Sequence, residues 1–221
     1  MIYVENYICE LTEKLKDCFG NRLCYVGLQG SYLRGEATEN SDIDIMVVID
    51  GLDVSDLDAY RQIILEMPSF DKSCGFICSK RDMINWNPME ICHLLNTTKD
   101  YFGILSELVP AFTEQDVRNF VKMSVNNLYH EICHRNIHRS AEVNREHLPL
   151  TYKAVFFILQ NLHYLRTGIF AATKMQLLSL LDGDDREVLA HSLALSRGET
   201  FDFHHSFRLL FHWCQDTMAN L

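Results

Sequence analysis

The sequence contains no apolar run that approaches membrane-spanning length. Its first residues, Met1-Ile2-Tyr3-Val4-Glu5, lack the basic segment followed by an apolar one that marks a secretory leader. Both absences lead to the expectation of a cytoplasmic protein with no membrane partner. The eight cysteines form no C-x-x-C pair and most fall within apolar patterns, so they read as reduced thiols of a cytosolic core. There are four prolines, and no Pro-rich linker, repeat or low-complexity segment. Basic residues are outnumbered, 20 Lys and Arg against 30 Asp and Glu, for a net charge of −10. That balance argues against a general affinity for the nucleic-acid backbone and is compatible with a cationic small substrate.

What is present suits a soluble globular protein: 221 residues, 48% of them apolar and 23% charged, enough for one large or two small domains. Val4, Tyr7, Ile8, Leu11, Leu15 and Cys18 repeat with the helical period, and Gly20 stands where such a helix stops. Apolar runs at 23–28 and 42–49 read as strands. Ser55 to Asp58 resembles a capping box, opening a helix with Leu57, Tyr60, Ile64 and Met67 as its apolar stripe and Pro68 at its end. Residues 74–78 read as a third strand. Asn87-Pro88-Met89-Glu90 combines a cap residue with Pro at the first helical position and starts another helix.

Composition then changes. A long helix is expected from Thr113 to about His138, followed by a polar stretch from Arg139 to His147. A second long helix, apolar nearly all round and therefore central, spans Tyr152 to Leu165 and closes at Gly168. Further helical segments lie near 173–181, 185–197 and 203–219. The expected organisation is an α/β (α+β) domain with a mixed sheet over 1–105, then an α-helical bundle over 106–221. His130, Cys133, His134 and His138 have helical spacing, but a zinc site usually recruits ligands from a second element and the sequence shows no partner. They read as a polar helix face.

The chemistry concentrates in one stretch, Gly30-Ser31-Tyr32-Leu33-Arg34-Gly35-Glu36-Ala37-Thr38-Glu39-Asn40-Ser41-Asp42-Ile43-Asp44. An apolar strand precedes it and another leaves it. Period 2 puts Asp42 and Asp44 on one face, with Ile43, Ile45 and Val47 on the other. Paired carboxylates repel each other and are best tolerated around a cation. Oxygen ligands on a rigid strand suit Mg²⁺, which shares its shell with water and substrate phosphates. A Gly-Ser turn offers backbone N–H groups and a hydroxyl to those phosphates.

Gly30-Ser31 followed ten residues later by Asp42-Ile43-Asp44 resembles the signature of the polymerase-β-like nucleotidyltransferases. It looks most like the branch holding the minimal and the aminoglycoside nucleotidyltransferases, strongly so over residues 22–50. The helical second half resembles, less specifically, the C-terminal domain of the aminoglycoside enzymes. The resemblance implies Mg²⁺-dependent transfer of a nucleoside monophosphate, AMP from ATP, to a hydroxyl of a small-molecule acceptor. It implies Asp42 and Asp44 as catalytic metal ligands, Gly30 and Ser31 as phosphate contacts, and Arg34 as a candidate phosphate contact. Lys153, a lone cation at the start of the central helix, sits where related enzymes carry a lysine that meets the nucleotide. A homodimer is compatible with all of this.

The family usually carries a third carboxylate on the next strand, as metal ligand and general base. Here Cys74 occupies that place, and a thiol is a poor Mg²⁺ ligand. Asp71, three residues upstream, is the nearest candidate catalytic carboxylate, and period 2 sends it to the opposite face unless a bulge intervenes. Two alternatives follow: an antitoxin-type nucleotidyltransferase that modifies a protein, or a nucleotide-binding pseudoenzyme.

Overall fold

The computed structural model describes residues 2–221. The chain divides into two compact units, one ending at Phe112 and the other running Thr113–Leu221.

The first unit opens with α1, Val4–Phe19, which stops at Gly20 in a positive-φ conformation. Then come β1, Leu23–Leu28, a one-turn helix α2, Gly30–Leu33, and β2, Ile43–Ile49. Next are α3, Val54–Leu65, β3, Ser73–Ser79, α4, Lys80–Ile84, α5, Pro88–Asn96, and β4, Lys99–Phe102. The four strands form one mixed sheet in the order β3-β2-β1-β4. β1 runs antiparallel to β2 and β4, and β2 runs parallel to β3.

β2 is buried on both faces, which is why it reads as an unbroken apolar run. Ile43, Ile45, Val47 and Ile49 face Ile8, Leu11 and Leu15 of α1 and the inner side of α3. Met46 and Val48 face the other way, among Tyr25, Cys78 and Met83. Each such aliphatic side chain contributes roughly 1.5–3 kcal/mol by leaving water.

α3 corrects the expected cap. The reciprocal box is Asp53 with Asp56, not Ser55 with Asp58. Asp56 accepts the Asp53 N–H at 2.9 Å and also receives Arg22 in a fork, at 3.0 and 2.6 Å. Asp56 thus takes the inner side of the first turn, and Leu57 is left 43% exposed rather than in the stripe. Tyr60, Ile63 and Ile64 make the core contact. The sequence pattern did not indicate β4, whose four residues alternate too briefly to stand out from the helix before it.

The second unit is helical throughout. α6 spans Glu114–His138, capped by Thr113 and Asp116. α7 spans Ala141–Thr151, α8 Lys153–Thr167, α9 Lys174–Leu180, α10 Gly183–Ser196 and α11 Phe203–Ala219. α7 occupies the stretch expected to be merely polar. Ser140 caps it, and Asn144, Leu148 and Thr151 give it a buried face that the charged residues between them conceal. α8 is central, burying Val155, Phe156, Leu159 and Leu162 against α6, α10 and α11. Polar bonds fix it there. The Tyr152 hydroxyl donates to the Ser206 carbonyl at 2.7 Å, and Ser192 Oγ donates to the Tyr152 carbonyl at 2.9 Å.

Candidate active site

Gly30 begins α2 with φ +70°, and a Cβ built on it would lie 1.8 Å from Asp44 Oδ2. No side chain fits there, so the turn lies directly on the carboxylate. A bond from the Gln29 N–H to the Asp44 carbonyl, 2.9 Å, holds the turn to β2. Ser31 follows, with its carbonyl taken by the Glu36 N–H at 2.9 Å. Among the described residues nothing binds the Ser31 hydroxyl.

Asp44 is half-buried, while Asp42 lies one residue before β2 and is exposed. Burial, reinforced by the Asp42 charge, holds the Asp44 carboxyl above the usual carboxylate range. A hydrogen bond from Cys74 and the charge of Arg34 oppose that shift. The parallel register places Cys74 opposite Asp44. Burial is the main cause that pushes the Cys74 thiol up, with the charges of Asp44 and Asp42 adding to it. The thiol therefore keeps its proton at neutral pH and donates a hydrogen bond to Asp44.

β3 can approach β2 this closely because of Gly75. Its φ is +122°, and a Cβ there would stand 2.0 Å from the Ile45 carbonyl oxygen. Tyr60 is half-buried, and desolvation pushes its hydroxyl up, with the charges of Tyr7 and Cys74 contributing. The Tyr7 hydroxyl bonds Ser73 Oγ.

Asp71 does not enter this group. It is exposed in the one-turn 3-10 helix Phe70–Lys72, and the ladder begins only at Ser73, opposite Ile43. Arg34 is close to the carboxylates but is paired with Glu36 at 2.9 Å, both side chains mostly covered (12% and 20% exposed). Lys153 is exposed as the first residue of α8, in the second unit.

Two neighbours escaped the sequence reading. Glu36, which anchors Arg34, could have been inferred from its position two residues on. His93 of α5 has no local signal. Burial, then the charge of Arg34, drop its pKa to about 4.

The residues fit a Mg²⁺ ion shared with substrate. A half-buried carboxylate against a glycine that leaves it clear, with a second carboxylate two residues away, offers two hard oxygen ligands. Mg²⁺ commonly takes one or two carboxylates and completes its shell with water and phosphate. No three His, Cys, Asp or Glu side chains among the described residues are gathered to hold an ion by themselves.

Residues 8–75 match the family model of the nucleotidyltransferase domain. That segment, which carries the Gly-Ser turn, both aspartates and Cys74, is a nucleotidyltransferase domain. A 66-residue stretch is 38% identical to a putative protein adenylyltransferase, MJ1305, of Methanocaldococcus jannaschii. The match takes in 28% of this chain and 45% of that protein, so the chain spans about half the length of the curated relative it matches. The fold is similar to the crystal structure of spectinomycin adenyltransferase AAD(9) from Enterococcus faecialis with ATP and spectinomycin. The TM-score is 0.60 at 16% identity, over 97% of this chain and 99% of that one. At that identity the likeness concerns the fold alone.

Proposed function

We propose that this chain transfers a nucleoside monophosphate, AMP from ATP, to a hydroxyl of a small-molecule acceptor, with release of pyrophosphate. The observation that carries the reading is the Asp44 carboxylate lying directly against the Gly30-Ser31 turn, with Asp42 beside it. Asp42 and Asp44 would hold Mg²⁺, which when bound neutralises charge on the phosphates. Gly30 leaves the carboxylate clear, and Ser31 offers the β- and γ-phosphates a hydroxyl that has no partner among the described residues. Arg34, held by Glu36, supplies positive charge beside Asp44 that opposes the effect of burial on its carboxylate.

The acceptor class is supported by the net charge of −10, which favours a cationic molecule, and by the AAD(9) fold, crystallised with ATP and spectinomycin. The test is incubation with α-labelled ATP, Mg²⁺ and a panel of aminocyclitols and aminoglycosides. The expected result is label on a small molecule, absent with an Asp42→Asn, Asp44→Asn variant. A second reading, AMP transfer to a protein hydroxyl, is favoured by the similarity to the putative protein adenylyltransferase. Label that appears only on protein would select it. Tight nucleotide binding with no transfer to either acceptor would favour the pseudoenzyme reading that the thiol at position 74 allows.

A further inference from the structure

The outer face of α6 carries three histidines one turn apart, His130, His134 and His138, all exposed. Their ring centroids are 5.8 Å apart for the first pair and 4.7 Å for the second. Among the described residues none of the three rings has a hydrogen-bond partner. His130-Glu131-Ile132-Cys133-His134 has the order H-E-x-x-H, in which two imidazoles on one helix face chelate a single ion. A cavity of about 290 Å³ opens among His130, Glu131, His134, Arg135 and Arg139. It has room for an ion and its waters, and His138 is not part of its lining.

The neighbours decide what such a site can do. Glu131, which serves as general base in hydrolases of this pattern, is engaged: it receives Arg135 Nε at 2.9 Å and Thr151 Oγ1 at 3.2 Å. Both bonds fall on Oε1, so Glu131 is tied along the helix surface to Arg135 and Thr151, and the Arg135 charge is balanced. Cys133 packs against the core and is not a ligand. Eight helical residues advance about 12 Å, so the three rings cannot meet on one ion, in which each nitrogen must come within about 2 Å. Imidazole pairs select Cu²⁺, Ni²⁺ and Zn²⁺ over the oxygen-seeking Mg²⁺.

We propose that His130 and His134 form a bidentate binding site for a divalent transition-metal ion of the Cu²⁺, Ni²⁺ and Zn²⁺ class, separate in chemistry from the carboxylate pair Asp42 and Asp44. Both histidines are exposed, so the site is a binding site open to solvent. The test is calorimetric titration of the untagged full chain with NiCl₂ at pH 8, together with electron paramagnetic resonance of the Cu²⁺-loaded protein. One ion bound with nitrogen hyperfine structure is expected. His130→Ala and His134→Ala should each weaken binding at least tenfold, while His138→Ala and the Asp42→Asn, Asp44→Asn double variant should stay within threefold of wild type. Binding lost equally in His138→Ala, retained in His134→Ala, or lost with the aspartates would overturn the assignment. All the substituted histidines are exposed, and circular dichroism verifies that the variants fold.

Discussion

Gly30 and Asp44 are in contact so close that a methyl group on the glycine would stand 1.8 Å from Asp44 Oδ2. The glycine also holds φ +70°, which an L side chain rarely adopts. Gly30→Ala should therefore displace either the turn or the carboxylate. The expected outcome is loss of Mg²⁺-dependent ATP binding by at least tenfold, measured by fluorescent-nucleotide titration. The melting temperature should fall by a few degrees, as a strain of about 1–2 kcal/mol predicts. ATP affinity unchanged in a folded Gly30→Ala protein would show that the turn does not serve the site.

The burial that raises the Asp44 carboxyl also marks it as a residue kept at a cost. Asp44→Asn removes a half-buried charge and its repulsion with Asp42 while preserving shape. Thermal stability should stay level or rise at pH 7, while transfer activity falls by at least a hundredfold. The pairing of higher stability with lower activity is what a functional charge gives. A large drop in melting temperature would instead make Asp44 a structural residue.

Cys74 stands opposite Asp44 in the parallel register and donates a hydrogen bond to it. A carboxylate in that position would add a hard ligand. Cys74→Glu should tighten Mg²⁺ in the presence of a nonhydrolysable ATP analogue by about tenfold, read by isothermal titration. Cys74→Ser should not, since a hydroxyl supplies no charge. Equal behaviour of the two variants would show that position 74 does not reach the ion.

These residues also mark how far the sequence can be read. The strand pair and its aspartates were legible because strand periodicity and a fixed spacing are local properties. So were α6 and α5, whose caps lie within four residues of each start. The helix α3 is legible, but its cap is not: Ser55–Asp58 and Asp53–Asp56 are both box-like, and Arg22, thirty-four residues away, pairs with the second. α7 was hidden because its buried face is only Asn144, Leu148 and Thr151. Arg34 could be named, but not its tie to Glu36 or its nearness to His93. A register of β3 that puts Cys74 rather than Asp71 beside Asp44 follows from the sequence period. The tight β2–β3 approach at Gly75 does not, because glycine at that point carries no periodic signal.

His93 offers a pH test that leaves the carboxylates alone. Burial is the main reason its pKa drops from 6.5 to about 4, and the positive charge of Arg34 adds to it. The folded protein thus keeps the ring neutral where the unfolded chain protonates it. The unfolded state binds more protons between the two values, so stability rises with pH across that window. The contribution is fully present above pH 6.5 and is lost progressively as pH falls toward 4. It amounts to on the order of 2–3 kcal/mol at the lower end. Urea denaturation of wild type and His93→Gln at half-unit steps from pH 7.5 to 4.5 isolates it, since other acid-sensitive groups are common to both proteins. Whatever the substitution does at pH 7.5, the stability difference between wild type and variant should shift in the variant's favour as pH drops below 6.5. Parallel curves across the whole range would mean that His93 gains its proton as readily in the fold as in the unfolded chain.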